Sequence, residues 1–227
     1  MEKIVLLVSG GLDSFIAYHY LRDDGYEIIP LFIDYNGIYS KKELKIVENL
    51  FPESILVIDG TLNFKGEETG EKAFLKNRNA YFALVASKYG KIICMAGLKD
   101  DNIGDKSPEA FIKMQDLLSE INGEYYEVFS PFWRMEKEQI IDWYISHKLP
   151  LSELLKTTSC YHPKYLFCGE CPSCFRKYCA FVSNELEELI PIFLNKKMAY
   201  DYLKRSYEYS TNRQISIQKA CEKLGVV

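Results

Sequence analysis

A glycine-rich polar segment near the start of the chain has the composition of a phosphate-binding loop. The segment Ser9-Gly10-Gly11-Leu12-Asp13-Ser14 directly follows an apolar run at residues 4–8. Its glycines adopt backbone angles that other residues avoid, and they let a ligand approach the main chain closely. N–H groups at a helix start bind phosphate, serine hydroxyls add donors, and Asp13 could hold a magnesium ion on the same phosphates. The segment therefore predicts a nucleotide site.

Other phosphate-binding motifs fail on spacing. A P-loop requires a lysine after its second glycine, and a dinucleotide fingerprint requires GxGxxG; neither occurs here. A simple Gly-Gly turn with incidental serines is the remaining alternative. The residues predicted to line the nucleotide site belong to the loop, the helix that it opens and the ends of two later strands: Val8, Ser9, Gly10, Gly11, Leu12, Asp13, Ser14, Phe15, Ile16, Ala17, Tyr18, Asp34 and Gly97.

Four of the seven cysteines form a second group with chemical meaning. Cys160, Cys168, Cys171 and Cys174 have the spacing C-x7-C-x2-C-x2-C. A Cys-x2-Cys turn places two sulfurs on one cation, and four thiolates in a tetrahedron suit zinc. A redox pair would leave two cysteines unused, whereas an iron–sulfur cluster agrees with the ligand count alone. We expect a structural zinc ion, because four cysteines leave no open coordination position for a substrate.

Buried strands and amphipathic helices alternate along the first 150 or so residues. Strand patterns occur at 4–8, 27–34, 54–59, 91–97 and 125–130, and helix patterns at 12–22, 41–50, 78–89, 109–121 and 136–147. This alternation predicts an α/β fold with a doubly wound, mostly parallel sheet, in which ligands gather at the carboxyl ends of the strands. Residues 9–14, 34–39 and 97–105 would then surround one crevice. Pro30 indicates an edge or a bulge in the second strand.

Three segments are predicted along the chain: an α/β domain at 1–155, the four-cysteine segment at 156–182 and a helical extension at 183–227. Within the extension, residues 185–194 and 215–224 have helical patterns, and an aromatic-rich stretch, 198–207, lies between them. We expect these helices to pack on the core or on a second subunit. Docking of a macromolecular substrate is the alternative.

The overall composition excludes several classes of protein. The chain has 48% hydrophobic and 26% charged residues, and no apolar stretch is as long as a membrane span. A formal net charge of -4 argues against broad nucleic-acid binding. The first residues form a core strand rather than a signal peptide, which predicts a cytoplasmic protein without disulfides.

The glycine loop resembles the pyrophosphate-binding loop of the N-type ATP pyrophosphatases, and the cysteine segment narrows that resemblance. The run Thr158-Ser159-Cys160-Tyr161, the three later cysteines and Arg176 resemble the zinc segment of the 7-cyano-7-deazaguanine synthase family. Asn77-Arg78-Asn79, Asp105 to Phe111 and Ser130 to Ile140 also resemble motifs of that family. The resemblance implies an adenine nucleotide α-hydrolase-like fold and a homodimer.

The resemblance also implies an ATP-dependent ligase that forms AMP and pyrophosphate. A 7-carboxy-7-deazaguanine would be adenylated, converted by ammonia to an amide, activated again and dehydrated to the nitrile, with Mg²⁺ on the phosphates. Asp13 or Asp105 would hold the magnesium ion, and Lys137 and Arg78 would neutralise phosphate or carboxylate charge. Structural alternatives are a solvated helix lysine for Lys137, a plain helix start for Arg78 and a turn cap for Asp105.

Two departures from the family pattern lie on the predicted substrate side. A glutamine-arginine-histidine stretch of the family is replaced by residues 34–39, and a longer arginine-containing run is replaced by residues 106–111. The chain also continues for more than forty residues beyond the cysteine segment. These departures motivate an alternative acceptor, a protein amine, in a phage or anti-phage setting. A tRNA sulfur transferase and a scaffold that binds nucleotide without catalysis are further alternatives.

Overall fold

The computed structural model of the protein describes residues 2–58, 75–99, 101 and 104–227. The chain divides into two compact units, Met1–Met135 and Glu136–Val227. The boundary between these units follows Met135, whereas the sequence places its first segment boundary after residue 155. The division into three segments stays a prediction. Asp59, at the end of the third predicted strand, lies outside the described residues.

Within its described residues, the first unit forms a five-stranded parallel sheet. The strands are β1 (Lys3–Leu7), β2 (Glu27–Asp34), β3 (Ile55–Ile58), β4 (Ile92–Met95) and β5 (Glu127–Phe129). Their spatial order is β3-β2-β1-β4-β5, and every neighbouring pair is parallel. The chain winds outward from β1 to β3 and then returns to the other side of β1, which is the doubly wound arrangement. The predicted fold class is confirmed.

Among the described residues of the first unit, four helices cover the sheet. They are α1 (Leu12–Asp23), α2 (Ser40–Leu50), α3 (Arg78–Ala86) and α4 (Pro108–Asn122). Side chains alternate between the two faces of a strand. On one face, Val5 and Ile93 form a core with Ala83 of α3 and Phe111 of α4. The helix α1 packs on β1 and β2. Leu6, the neighbour of Val5 in β1, is also buried and points to the opposite face of the sheet.

Pro30 lies in an interior strand rather than an edge strand. It pairs with Leu6 of β1, and β2 is flanked by β3 on its other side. The pairing of β2 with β3 begins only at Leu31, however. Pro30 therefore precedes the part of β2 that has neighbours on both sides, which explains why a residue without an N–H is accommodated there.

The described part of the second unit is helical. It contains α5 (Lys137–Ser146), α6 (Leu151–Leu155), α7 (Pro172–Ser183), α8 (Lys196–Lys204) and α9 (Thr211–Lys223). The prediction of a helix at 185–194 is wrong, because only a 3₁₀ turn forms there, at Glu187–Leu189. Pro191 accounts for the difference, since a residue before proline is disfavoured in the helical region. Ile190 is accordingly extended, with φ -126° and ψ 154°.

The C-terminal extension shares one hydrophobic core with the four-cysteine segment. Phe175 of α7 contacts Phe193 and Tyr202, with ring centroids 5.0 Å and 4.9 Å away. The same core contains Cys160, Cys174 and the buried apolar residues of α9. The N–H of Leu194 also donates to the carbonyl of Gly169, at 2.7 Å. The extension therefore packs on a core within the second unit, which agrees with one of the two expectations for its helices.

Two isoleucines of α9 provide a matched test of this packing. Ile217 is 2% exposed in the shared core, whereas Ile215 on the same helix is 50% exposed. Replacing Ile217 with alanine is expected to lower the free energy of unfolding by about 2–5 kcal/mol, because it leaves a cavity. Ile215→Ala should change it by less than about 0.5 kcal/mol. Equal effects of the two changes in urea unfolding of the full chain would contradict the packing.

Among the described residues, none of the helices combines the length and the apolar character needed to cross a bilayer.

Candidate functional site

The glycine-rich loop connects the central strand β1 to α1. Gly10 has a φ of +68°, in the left-handed region that favours glycine. A Cβ atom at Gly10 would lie 2.7 Å from Cγ2 of Ile46, on α2. Glycine is thus required here both by the backbone turn and by the close approach of α2. Gly11 follows as the N-cap of α1.

The start of α1 has the features of an anion site. Its N-cap is Gly11, which has no side chain to cap the helix, so a ligand can approach the N–H groups at this helix start. The hydroxyl of Ser14 donates to the carbonyl of Gly11, at 3.1 Å, and Ser9 is exposed on the loop. Asp13 lies in the first turn of α1. The loop can therefore present several N–H groups and one carboxylate to a bound polyphosphate with its cation.

The apolar residues predicted for the nucleotide site have structural roles. Their side chains are buried in the first unit, at 4% exposed or less: Val8, Leu12, Phe15, Ile16 and Ala17. The N–H of Val8 donates to Leu31, at 2.9 Å. The hydroxyl of Tyr18 donates to Glu53, at 2.6 Å, and accepts from Arg22. Any nucleotide contact of these residues stays a prediction.

The end of β2 forms a tight turn. A carboxylate oxygen of Asp34 accepts the N–H of Asn36, at 2.8 Å. Asn36 itself has a φ of +56°, which is uncommon for a residue other than glycine. Tyr35, between them, is only 4% exposed. Asp34 thus shapes the turn that positions Tyr35, while its predicted contact with the nucleotide stays a prediction.

Arg78 and Asp105 are brought to the same place, the start of α3. Both carboxylate oxygens of Asp105 accept hydrogen bonds from Asn79, one from its backbone N–H at 2.8 Å and one from its amide at 3.0 Å. Asp105 therefore anchors the first turn of α3, which is a different role from the predicted turn cap. Arg78, the residue before Asn79, begins the helix, and its guanidinium carbon lies 6.0 Å from the centre of the Tyr35 ring.

Gly97, after β4, is covered by an aromatic ring. A Cβ atom at Gly97 would lie 2.3 Å from Cη2 of Trp133. The N–H of Gly97 donates to the hydroxyl of Ser130 at 2.9 Å, and that hydroxyl donates to the carbonyl of Gly97 at 2.7 Å. These contacts join the ends of β4 and β5. The indole of Trp133 thus explains why a glycine occupies position 97. A contact between Gly97 and a nucleotide stays a prediction.

Gly97→Ala is expected to destabilise the first unit. The added methyl would overlap the indole of Trp133, and overpacking of this kind costs about 1–3 kcal/mol. In a Trp133→Leu background the same change should cost little, because the overlapping atoms are gone. Urea unfolding of the two single variants and the double variant measures this coupling. Additive effects would show that the indole is not the obstacle.

Lys137 belongs to the second unit, where it is the first residue of α5. The preceding residue, Glu136, is the buried N-cap, and its N–H donates to the side chain of Gln139 at 2.9 Å. This local structure determines where α5 begins. The predicted action of Lys137 on a phosphate or carboxylate stays a prediction.

The four cysteines of the second unit form a compact cluster. Their sulfur atoms all lie within 4.8 Å of one another, and Sγ of Cys168 is 3.8 Å from Sγ of Cys174. A tetrahedral zinc ion with bonds of about 2.3 Å would place its sulfur ligands about 3.8 Å apart. A multi-iron cluster would hold its ligand sulfurs further apart, because several metal ions lie between them. The cluster therefore fits a single tetrahedral metal ion.

Hydrogen bonds stabilise a thiolate within the cluster. Cys171 is the N-cap of α7, and its sulfur accepts the N–H of Cys174 at 3.4 Å. Bonds from the thiols of Cys160 and Cys174, together with this N–H, hold the pKa of Cys171 below its usual range. The sulfur of Cys160 accepts the N–H of His162, at 3.3 Å. The donors to Cys171 favour the charged form in which cysteine binds metal, whereas the bond with Cys171 raises the pKa of Cys160 to about 11.

Two polar residues before and after the first cysteine have structural roles that the sequence pattern does not reveal. The buried Lys177 donates to the carbonyl of Thr157 at 2.9 Å, and Thr158 accepts the N–H of Cys160 at 3.3 Å. These bonds support the backbone that carries the first cysteine. Tyr35 and Trp133 lie within stretches that the sequence singles out, but their contacts with Arg78 and Gly97 were not predicted. Tyr35 directly follows a predicted strand and Trp133 lies three residues after one, which is a signal for ligand contact in such folds.

Comparison with known proteins agrees with these features. The sequence model of the family described as queuosine biosynthesis protein QueC matches residues 53–185, which is more than half of the chain. The 7-cyano-7-deazaguanine synthase 1 of Colwellia psychrerythraea is 29% identical over 217 residues, covering 84% of this chain and 98% of that protein. A 7-cyano-7-deazaguanine synthase of Nautilia profundicola is 28% identical over 223 residues, with the same coverage of each chain.

Among solved structures, the U34-tRNA thiolase NcsA of Methanococcus maripaludis aligns with 98% of this chain and 72% of its own. Its identity is 12% and its TM-score 0.43, so it supports no inference. The family match instead contains the four cysteines, Arg78 and Asp105 in one continuous range. On this match, the chain belongs to the QueC family of queuosine biosynthesis proteins.

Proposed function

We propose that the protein is an ATP-dependent ligase that activates a 7-carboxy-7-deazaguanine and converts it to the nitrile. The observation that carries the proposal is the glycine loop at the carboxyl end of the central strand, which leads into a helix whose N-cap is Gly11. The loop occurs in a chain of the QueC family, and similar proteins of known name are 7-cyano-7-deazaguanine synthases. The resemblance found in the sequence points to the same reaction.

The reaction would consume two ATP molecules. In the first round, a carboxylate oxygen attacks the α-phosphorus of ATP, pyrophosphate leaves, and ammonia then displaces AMP to give the amide. In the second round, the amide oxygen attacks a new α-phosphorus. Loss of AMP and of the amide protons then gives the nitrile. Amides at the start of α1 would stabilise the negative charge of each leaving pyrophosphate.

Asp13 is the better of the two carboxylates proposed for magnesium. Both oxygens of Asp105 are already engaged by Asn79, whereas Asp13 lies in the first turn of the phosphate-binding helix. A magnesium ion bound there would neutralise phosphate charge when present. Asp105 would act by holding the helix start that carries Arg78.

The four-cysteine cluster would bind zinc with a structural role. Four protein ligands complete a tetrahedron and leave no position for a substrate. The closed cluster also argues against sulfur transfer to tRNA, since no pair of these cysteines would remain to carry sulfur.

A protein amine is a second candidate for the acceptor. It is favoured by the two stretches that depart from the family pattern, 34–39 and 106–111. In the second stretch, Lys106 forms an ion pair with Asp101 at 2.7 Å, and Asp101 also accepts the N–H of Leu98. These contacts hold the stretch that departs from the family pattern on the predicted substrate side. A changed acceptor would leave the adenylation step as it is.

One incubation separates these functions. The purified protein is mixed with ATP, Mg²⁺, 7-carboxy-7-deazaguanine and ammonium, and AMP, pyrophosphate and product masses are measured. A nitrile with two AMP per product supports the synthase. AMP without nitrile, together with a mass increase on a co-expressed protein, supports the amine acceptor. Absence of both AMP and pyrophosphate would contradict the ligase proposal.

A further inference from the structure

We propose that Arg78 recognises the carboxylate of the heterocyclic substrate and that Tyr35 is the positioning residue that holds its guanidinium. This inference rests on the proposed function and assigns the substrate side of that site.

The Tyr35 ring is held by two residues of one helix face. Arg78 and Phe82 are four residues apart on α3, so they lie on the same side of the helix. The Phe82 ring centre is 5.6 Å from that of Tyr35, and the Arg78 guanidinium carbon is 6.0 Å from it. An arginine next to an aromatic face is attracted by the ring. The buried ring therefore limits the positions that the guanidinium can take.

Both partners are held from the backbone as well. Asp34 accepts the N–H of Asn36 in the turn that carries Tyr35, and Asp105 anchors Asn79 next to Arg78. Because these turns belong to the ends of two different elements, the pair is organised before any ligand arrives. A preorganised arginine loses less freedom when it binds.

The guanidinium retains unused hydrogen-bonding capacity. Nε of Arg78 is buried and, within the described part of the chain, no acceptor lies within hydrogen-bond distance of it. A buried donor without a partner is costly, and a ligand oxygen would remove that cost. The planar fork of arginine matches a carboxylate, which accepts two parallel hydrogen bonds. The feature thus indicates an anionic ligand with a planar acceptor.

The position of α3 favours the carboxylate over the pyrophosphate. The pyrophosphate would bind at the start of α1, whereas Arg78 starts α3, which packs with α4 on the Val5 and Ile93 face of the sheet. In doubly wound sheets the crevice lies where the winding reverses, here between β1 and β4. The two reactants would then approach each other from opposite sides of this crevice.

The test is direct binding, measured by calorimetry with Mg²⁺ and α,β-methylene-ATP, which cannot release pyrophosphate. Arg78→Gln is expected to raise the Kd of 7-carboxy-7-deazaguanine about 10- to 100-fold. The Kd of 7-deazaguanine, which lacks the carboxylate, should change less than about threefold, as should the Kd of the nucleotide. Tyr35→Leu should raise the Kd of 7-carboxy-7-deazaguanine. Tyr35→Phe, which keeps the ring, should bind this ligand as the unaltered protein does.

Arg22→Gln is the matched control. Arg22 is an exposed arginine in the last turn of α1, at the other end of that helix from the loop, and its loss should leave every Kd unchanged. Equal weakening of both heterocycles by Arg78→Gln, or weaker nucleotide binding instead, would overturn the inference while leaving the ligase proposal intact. Failure of the unaltered protein to bind 7-carboxy-7-deazaguanine at all would overturn the proposed function itself.

Discussion

Replacing Cys171 with serine is expected to abolish metal binding and to unfold the second unit. Cys171 contributes one of the four clustered sulfurs and also caps α7, where its sulfur accepts the Cys174 N–H. Structural zinc supplies about 10–16 kcal/mol of apparent binding free energy in small domains. That is comparable to the whole stability of a typical domain, about 5–15 kcal/mol. Zinc content and the thermal unfolding of the full chain measure both effects.

The matched control for this change is Cys221→Ser. Cys221 is fully buried in the same core, and its thiol donates to the carbonyl of Ala199, at 3.5 Å, but it lies outside the cluster. This variant should keep its zinc and lose only the small amount of stability expected from a polar substitution in the core. The metal assignment is wrong if Cys171→Ser keeps one zinc per chain and unfolds like the unaltered protein.

Asp13→Asn is expected to lower the rate of AMP formation by about 10³-fold with no loss of folding. The asparagine has nearly the same volume, but it cannot neutralise the cation on the phosphates. Charge stabilisation by a bound metal contributes several kcal/mol to a transition state. The first turn of α1, which carries Asp13, has no other acidic residue. Exchange of labelled pyrophosphate into ATP measures the loss, and it should be partly reversed by high Mg²⁺.

Asp23→Asn provides the control on the same helix. Asp23 is an exposed carboxylate at the last residue of α1, where a negative charge opposes the helix dipole. Its replacement should leave the exchange rate unchanged and stability equal or slightly higher. Full activity of the Asp13→Asn variant would show that Asp13 does not hold the cation. A variant that is inactive and unfolded would show that Asp13 has a structural role instead.

The fold class and the two chemical clusters follow from local patterns of the sequence. An apolar run before Ser9-Gly10-Gly11 predicts a strand, a tight turn and a helix, because these patterns reflect the local preferences of neighbouring residues. The alternation of strands and helices then leads to the doubly wound sheet that is observed. The cysteine spacing likewise predicts a metal site, since Cys-x2-Cys brings two sulfurs together within one turn.

Other features depend on contacts between residues that are far apart in the sequence. No local pattern pairs Gly97 with Trp133, Asp105 with Asn79, or Tyr35 with Arg78; these contacts arise when separate strands and helices pack together. The core shared by the extension and the cysteine segment is of the same kind. Short-range preferences thus specify the elements and the reactive groups. Packing specifies which of those groups meet, because a side chain's neighbours depend on the position of every element around it.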